Sequence, residues 1–174
     1  MPTFELPESA QEVFDTVLAH ARTMGGVQCR SEAGCVYRGQ LGSKCFAGVL
    51  IPDDVYNESK FERLTWDMLV EDQLVPERHA SLIADLQQIH DSSFYENNNR
   101  ILIRGVLWWE FLFGVAACKY NLTYTFPLLS LSHDEIEKLQ LTCENMIKDR
   151  QFFSRDYIVQ ARTILEAIKN RTAK

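Results

Sequence analysis

The feature that most constrains this chain is the apolar run from Gly105 to Cys118, about 14 residues that hold a single charge, Glu110, and follow directly on Arg104. A membrane-spanning helix needs roughly 20 apolar residues, so the run is too short to cross a bilayer. It carries Trp108, Trp109, Phe111 and Phe113 on nearly every side. A helix without a polar face has to be enclosed by other elements. The spacing therefore predicts a core helix over about 100–120 with other helices wrapped around it. The Trp108-Trp109 pair reads as core rather than as a ligand cage, because both rings lie inside that apolar helix.

The elements expected to do the enclosing are legible from periodicity. Ala10, Val13, Phe14, Val17, Leu18 and Ala21 recur at helical spacing, Ser9 with Glu12 forms a capping box, and Gly25-Gly26 supplies the stop. Thr65 can cap a short helical segment with Trp66, Leu69 and Val70. Pro76 suits a first helical position, after which Leu82, Ile83, Leu86, Ile89 and His90 share a face. Ser132 with Glu135 makes a second capping box, leading into Ile136, Leu139, Cys143, Met146 and Ile147. A last helix carries Tyr157, Ile158, Ala161, Ile164, Leu165 and Ile168, and the short Asp149–Phe153 connection favours an antiparallel pair. Asp91–Asn99 reads as a polar connection and Asn121–Ser130 as irregular.

Between the first two helices the pattern changes. Cys35–Arg38 and Cys45–Ile51 flank a glycine-bearing turn, Gly39–Lys44, which predicts a β-hairpin ended by Pro52-Asp53-Asp54. The fold class expected is α+β, mainly α: a bundle-like body of five to six helices with one small hairpin. Neither an internal repeat nor a shift in composition marks a boundary, so residues 1–174 read as one domain.

With 46% hydrophobic and 24% charged residues the chain can bury a sizeable core. Its 18 Lys and Arg against 24 Asp and Glu give a net charge of −6, which argues against broad adhesion to phosphate backbones or anionic membranes. The N-terminus has no basic stretch leading into an apolar one, which predicts a protein that stays in the cytoplasm. Asn57, Asn121 and Asn170 each begin a glycosylation acceptor pattern, read as chance matches in a chain that is not exported. Five scattered cysteines are expected as free thiols.

Several residue groups invite a chemical reading. Cys29, Cys35 and Cys45 are spaced too widely for the short knuckles that pre-form zinc sites, and they also read as small apolar residues; no metal and no cofactor is expected. His90 followed by Asp91 resembles a base with its orienting carboxylate, with Cys35 or Cys45 as nucleophile, but His90 also continues an apolar stripe as a packed histidine would. Asp53 and Asp54 read as a cation-binding group, as paired carboxylates or as ordinary turn chemistry. Arg38 and Lys44 with Tyr37 or Tyr56 make a minimal grip for a nucleotide, two cations and a stacking ring, or a solvated hairpin tip. Gly39–Lys44 lacks the spacing and the following helix of a phosphate-binding loop.

The stretch Cys35-Val36-Tyr37-Arg38-Gly39, followed by Gly42-Ser43-Lys44-Cys45-Phe46-Ala47-Gly48-Val49-Leu50-Ile51-Pro52-Asp53-Asp54-Val55-Tyr56, resembles a pattern that recurs in small uncharacterised proteins of bacteriophages and some bacteria. Leu86–Asp91 is similar to its second block. The resemblance spans roughly residues 10–92, is most specific from Lys44 to Tyr56, and does not extend to the C-terminal half. It implies no reaction. It implies a phage-encoded accessory protein of the kind that binds and redirects host or defence components.

The leading expectation is a non-enzymatic binding protein, an inhibitor or anti-defence factor, that offers a host protein the hairpin region through Tyr37, Arg38, Lys44, Asp53, Asp54, Tyr56 and His90. The alternatives are a protein that sequesters a small nucleotide signal, and a cysteine-dependent hydrolase or transferase built on Cys35 or Cys45 with His90. Membrane binding and extended nucleic-acid binding are not expected.

Overall fold

The computed structural model describes residues 4–25, 27–31, 34–92 and 106–172. The chain is mainly helical, as its periodicity predicts, with seven α-helices and a single two-stranded sheet among the described residues. It divides into two compact units, Met1–Ser93 and Phe94–Lys174, and the division falls within the stretch that reads as a polar connection. No helix of the described residues is long and apolar enough to cross a membrane.

In the first unit, α1 (Ala10–Thr23) starts at the Ser9/Glu12 capping box and buries Val13, Phe14, Val17, Leu18 and Ala21. After it come β1 (Arg30–Ser31) and β2 (Gly34–Cys35), paired antiparallel with Arg30 opposite Cys35. A single helical turn, α2 (Glu58–Phe61), precedes α3 (Trp66–Glu71), whose first turn is capped by the Thr65 side chain accepting from the Met68 N–H. The unit closes with α4 (Ala80–Ser92), which packs on α1 and α3 and buries Leu82, Ile83, Leu86, Ile89 and His90.

The expected hairpin is corrected by this architecture. Of its first strand, Cys35–Arg38, only Cys35 lies in a strand, in β2 paired with β1, and Arg38 and Lys44 form only an isolated antiparallel bridge. Beyond that bridge the expected second strand does not exist: Phe46-Ala47 turn and Gly48–Leu50 form a 3-10 turn. A continuous apolar run is compatible with either a strand or a helical turn, and here two local contacts favour the turn. The Cys45 thiol accepts the Gly48 N–H at 3.1 Å, and Gly48 lies so close to Tyr37 that a Cβ would stand 2.5 Å from its carbonyl oxygen. Phe46, Ala47, Leu50 and Ile51 all end up in the core.

In the second unit, α5 (Val106–Tyr120) is the apolar helix. Trp109, Phe111 and Phe113 are fully buried, and Trp108 stacks on Phe111 at 5.6 Å between ring centroids. The second capping box, Ser132/Glu135, opens α6 (His133–Lys148). A 3-10 turn over Arg150–Phe152 leads to α7 (Arg155–Thr172), which packs on both α5 and α6 and lays Tyr157 against Trp108 and Phe111.

Candidate functional site

The residues singled out in the hairpin region do come together in the first unit, but around a framework that sequence reasoning misses. Glu62, just past α2, accepts the consecutive backbone N–H groups of Tyr37 and Arg38 at 3.0 and 3.1 Å, and the Tyr56 hydroxyl at 2.5 Å. One carboxylate thus ties the segment after β2 to the segment before α3. Gln87 of α4 adds a second tie, accepting the Trp66 N–H at 2.8 Å and donating to the Tyr37 hydroxyl at 3.0 Å. Nothing in the local pattern of Glu62 or Gln87 marks either as a partner, because the backbone groups each one holds lie more than twenty residues away in sequence.

Tyr37 is 2% exposed, and its hydroxyl donates to the Leu64 carbonyl at 3.0 Å. A ring sealed on both faces cannot stack a base, so its expected role in a nucleotide grip is corrected to that of a core residue. Burial pushes its hydroxyl well above the ordinary tyrosine range.

Arg38 is likewise turned inward. Its guanidinium donates to the carbonyls of Gly48 and Ile51, both at 2.5 Å, and Tyr37 at 3.3 Å, reaches Asp53 at 3.0 Å, and lies 4.9 Å over the Tyr56 ring. The Gly48 and Tyr37 carbonyls already accept the N–H groups of Ile51 and Cys45, so the fork of the guanidinium adds a second donor to each and supplies one to Ile51. Lys44 pairs with the same Asp53 oxygen at 2.6 Å. Its hydrogen bond, with the Arg38 charge behind it, holds the exposed Asp53 carboxyl below the usual range. Asp54 is exposed and pairs with no described residue, so the two aspartates do not act as a unit.

Cys35, His90 and Asp91 converge, with one ligand-type atom of each within 4.8 Å of the others. The geometry nevertheless opposes both chemical readings of the group. The Cys29 backbone N–H donates to His90 Nε2 at 2.9 Å, and a backbone N–H can only donate, so the ring proton sits on Nδ1, which reaches Asp91 Oδ1 at 2.9 Å. Both ring nitrogens are committed, and neither is left to take the proton of Cys35. Burial, with the hydrogen bond and charge of Asp91, pushes the Cys35 thiol up to about 12, and burial drives Cys45 up as well. Thiol chemistry requires the thiolate. A cation at Nδ1 would move the ring proton to Nε2, face to face with the Cys29 N–H. The neighbouring cavity, bordered by Cys35, Tyr37, Cys45, Glu62, Gln87 and Asp91, measures about 160 Å³, below the roughly 300–1,000 Å³ of small-molecule sites.

What the framework presents outward is the loop 39–43. Its base is closed by the Gly39 N–H donating to the Ser43 carbonyl at 2.9 Å and the Cys45 N–H to the Tyr37 carbonyl at 3.2 Å. Inside it the Ser43 hydroxyl and N–H both reach the Gln40 carbonyl, at 3.0 and 3.2 Å. The tip, Leu41, is 106% exposed and held at φ 57°, ψ 24°, with Gly42 following at φ 77°. The left-handed region costs an ordinary L-residue roughly 1–2 kcal/mol. An apolar residue between glycines in a polar turn was the signal that could have identified it. Compared with protein-family models, with curated proteins and with solved structures, the chain matches none.

Proposed function

We propose that this chain is a non-catalytic binding protein whose 39–43 loop inserts Leu41 into an apolar pocket of a protein partner. The observation that supports the reading is a fully exposed leucine in a strained backbone at the tip of a loop whose base is pinned. Strain of this kind persists where the surroundings enforce it, and it concentrates at recognition sites. Burying one leucine contributes about 1.5–3 kcal/mol, the size of a single hot-spot residue. Gln40 and Ser43 belong to the same loop, and Lys44, paired with Asp53, follows at its base. The resemblance of residues 35–56 to phage-encoded proteins makes a host protein of the cytoplasm the partner, and inhibition or redirection of that protein the outcome.

The buried, carbonyl-bound state of Tyr37 and Arg38 and the protonated thiols of Cys35 and Cys45 weigh against the nucleotide-sequestering and hydrolase readings. The test is site-specific photo-crosslinking in host cells, with the crosslinker placed at position 41 or at Leu129, another exposed leucine. A discrete adduct from position 41 alone, lost when Gln40 and Lys44 are replaced by glutamate, is the expected result. Adducts that are absent at 41, or identical at both positions, would overturn the proposal.

A further inference from the structure

The second unit holds a cleft of about 490 Å³ between α5 and α7, and its floor is polar where a helix seam is ordinarily apolar. Gly114, Ala117 and Cys118 of α5, with Asn121 just past its end, form one stripe; Asp156, Val159, Gln160 and Thr163 form the facing stripe of α7 at helical spacing. Gln160 is only 3% exposed. Its carbonyl receives a long contact from the Cys118 thiol at 3.9 Å, and its amide nitrogen has no hydrogen-bond partner among the described residues.

That amide is there because Gly114 lets it be. A Cβ at position 114 would stand 1.9 Å from Gln160 Nε2. Glycine inside a helix is unfavourable relative to alanine, and α5 keeps one where it opens room for a buried polar group. The amide nitrogen is open to the cleft, so an oxygen brought in by a ligand can reach it as an acceptor.

Two charges border the same cleft at the first turn of α7. Arg155 is exposed and Asp156 half-buried, and neither makes an ion pair or hydrogen bond with a described residue. Among the described residues they are the only charged side chains lining it, and their signs cancel. A dianion such as a nucleotide phosphate would meet one cation and one repelling carboxylate. A zwitterion meets a complement for each end: a carboxylate for the planar guanidinium fork, and an ammonium for the Asp156 carboxylate. One turn along α7, about 6 Å away for residues four apart, Gln160 offers its N–H to an oxygen on the ligand's body. Ala117, Leu122 and Val159 supply apolar wall.

We propose that this cleft binds a small zwitterion of the amino-acid class, a free amino acid or a dipeptide, with its carboxylate on Arg155, its ammonium on Asp156 and a further oxygen on Gln160. The site is independent of the Leu41 loop and its test is separate. The full chain is screened by thermal shift and then calorimetry against L-amino acids and dipeptides, together with their N-acetyl and C-amide derivatives. At least one zwitterion should bind at micromolar to millimolar concentration, and removing either terminal charge should weaken it at least tenfold. Arg155→Ala and Asp156→Asn, checked for unchanged helicity, should each produce the same loss, and single amino acids against dipeptides fix the ligand's size. A flat response across the panel overturns the proposal, and so does binding that survives either side-chain variant or tolerates loss of the ammonium.

Discussion

The backbone N–H of Cys29 donates to Nε2 of the buried His90 at 2.9 Å. That bond sets the imidazole's tautomer, turns its remaining proton toward Asp91, and joins the strand region to the end of α4. The adjacent Gln28 amide, donating to the His90 carbonyl at 2.6 Å and the Asp91 carbonyl at 3.1 Å, ties the same two segments again. His90 also meets the Phe46 ring edge-on at 5.0 Å. The imidazole is a structural hub, in a position where a sequence motif reads it as a base.

The hub makes a stability prediction. His90→Leu leaves the Cys29 N–H without its acceptor, and should lower unfolding free energy by about 2–4 kcal/mol, a buried unsatisfied donor plus lost packing. Cys35→Ala should change it by less than about 1 kcal/mol, since a half-buried thiol is deleted without orphaning a backbone group. Urea midpoints under reducing conditions decide; equal effects of the two substitutions would contradict the hub.

Arg38 and Asp53 form an ion pair at 3.0 Å, but the two partners have unequal duties. Asp53→Asn should cost no more than about 1 kcal/mol, because Asp53 is exposed and its pairs are screened by solvent. Arg38→Ala takes the guanidinium donor from the Ile51 carbonyl and the second donor from Gly48, and should cost about 1–3 kcal/mol. Chemical denaturation of both variants checks the ratio.

Leu41 separates stability from recognition. Leu41→Gly relieves the left-handed strain and should leave the fold unchanged or more stable by up to about 1 kcal/mol. The same variant should fail to form the partner adduct read at neighbouring crosslinker positions. A clear fall in thermal stability would show that Leu41 supports the fold instead of a partner.

Gly114 and Gln160 should be coupled with a change of sign. Gly114→Ala drives a Cβ into the Gln160 amide and should destabilise by about 1–3 kcal/mol. In a Gln160→Ala background the space is open, and the same substitution should stabilise by about 0.5–1 kcal/mol through helix propensity alone. A double-mutant cycle measured by calorimetry tests the reversal.

Alkaline sensitivity follows from the thiols. Burial raises Cys35 and Cys143 to about 12 and lifts Cys29 and Cys118, all from the ordinary thiol value of 9.0. Below pH 9 both folded and unfolded chains hold these protons. Above it the unfolded chain releases protons that the folded chain keeps, so stability falls progressively between about pH 9 and 12. Urea midpoints at pH 7.5 and pH 10 should show the decline, with slow alkylation of the native protein at the lower pH.

The sequence by itself determined the elements whose instructions are local. Ser9 with Glu12, Ser132 with Glu135 and Thr65 cap the helices their spacing predicts, because a cap joins groups three residues apart. The apolar faces of α1, α4, α6 and α7 were legible for the same reason: periodicity is a property of neighbours. The apolar run Cys45–Ile51 could not be resolved this way, since strand and 3-10 turn bury the same residues. Tertiary structure decided it, through Gly48 against the Tyr37 carbonyl and the Arg38 guanidinium bonded to the carbonyls of Gly48 and Ile51. It also decided what each polar residue is for. Arg38, Tyr37 and His90 look like binding groups in isolation, and Glu62, Gln87 and Gln160 like surface decoration. A hydrogen bond needs two partners in reach, and only folding brings those partners together.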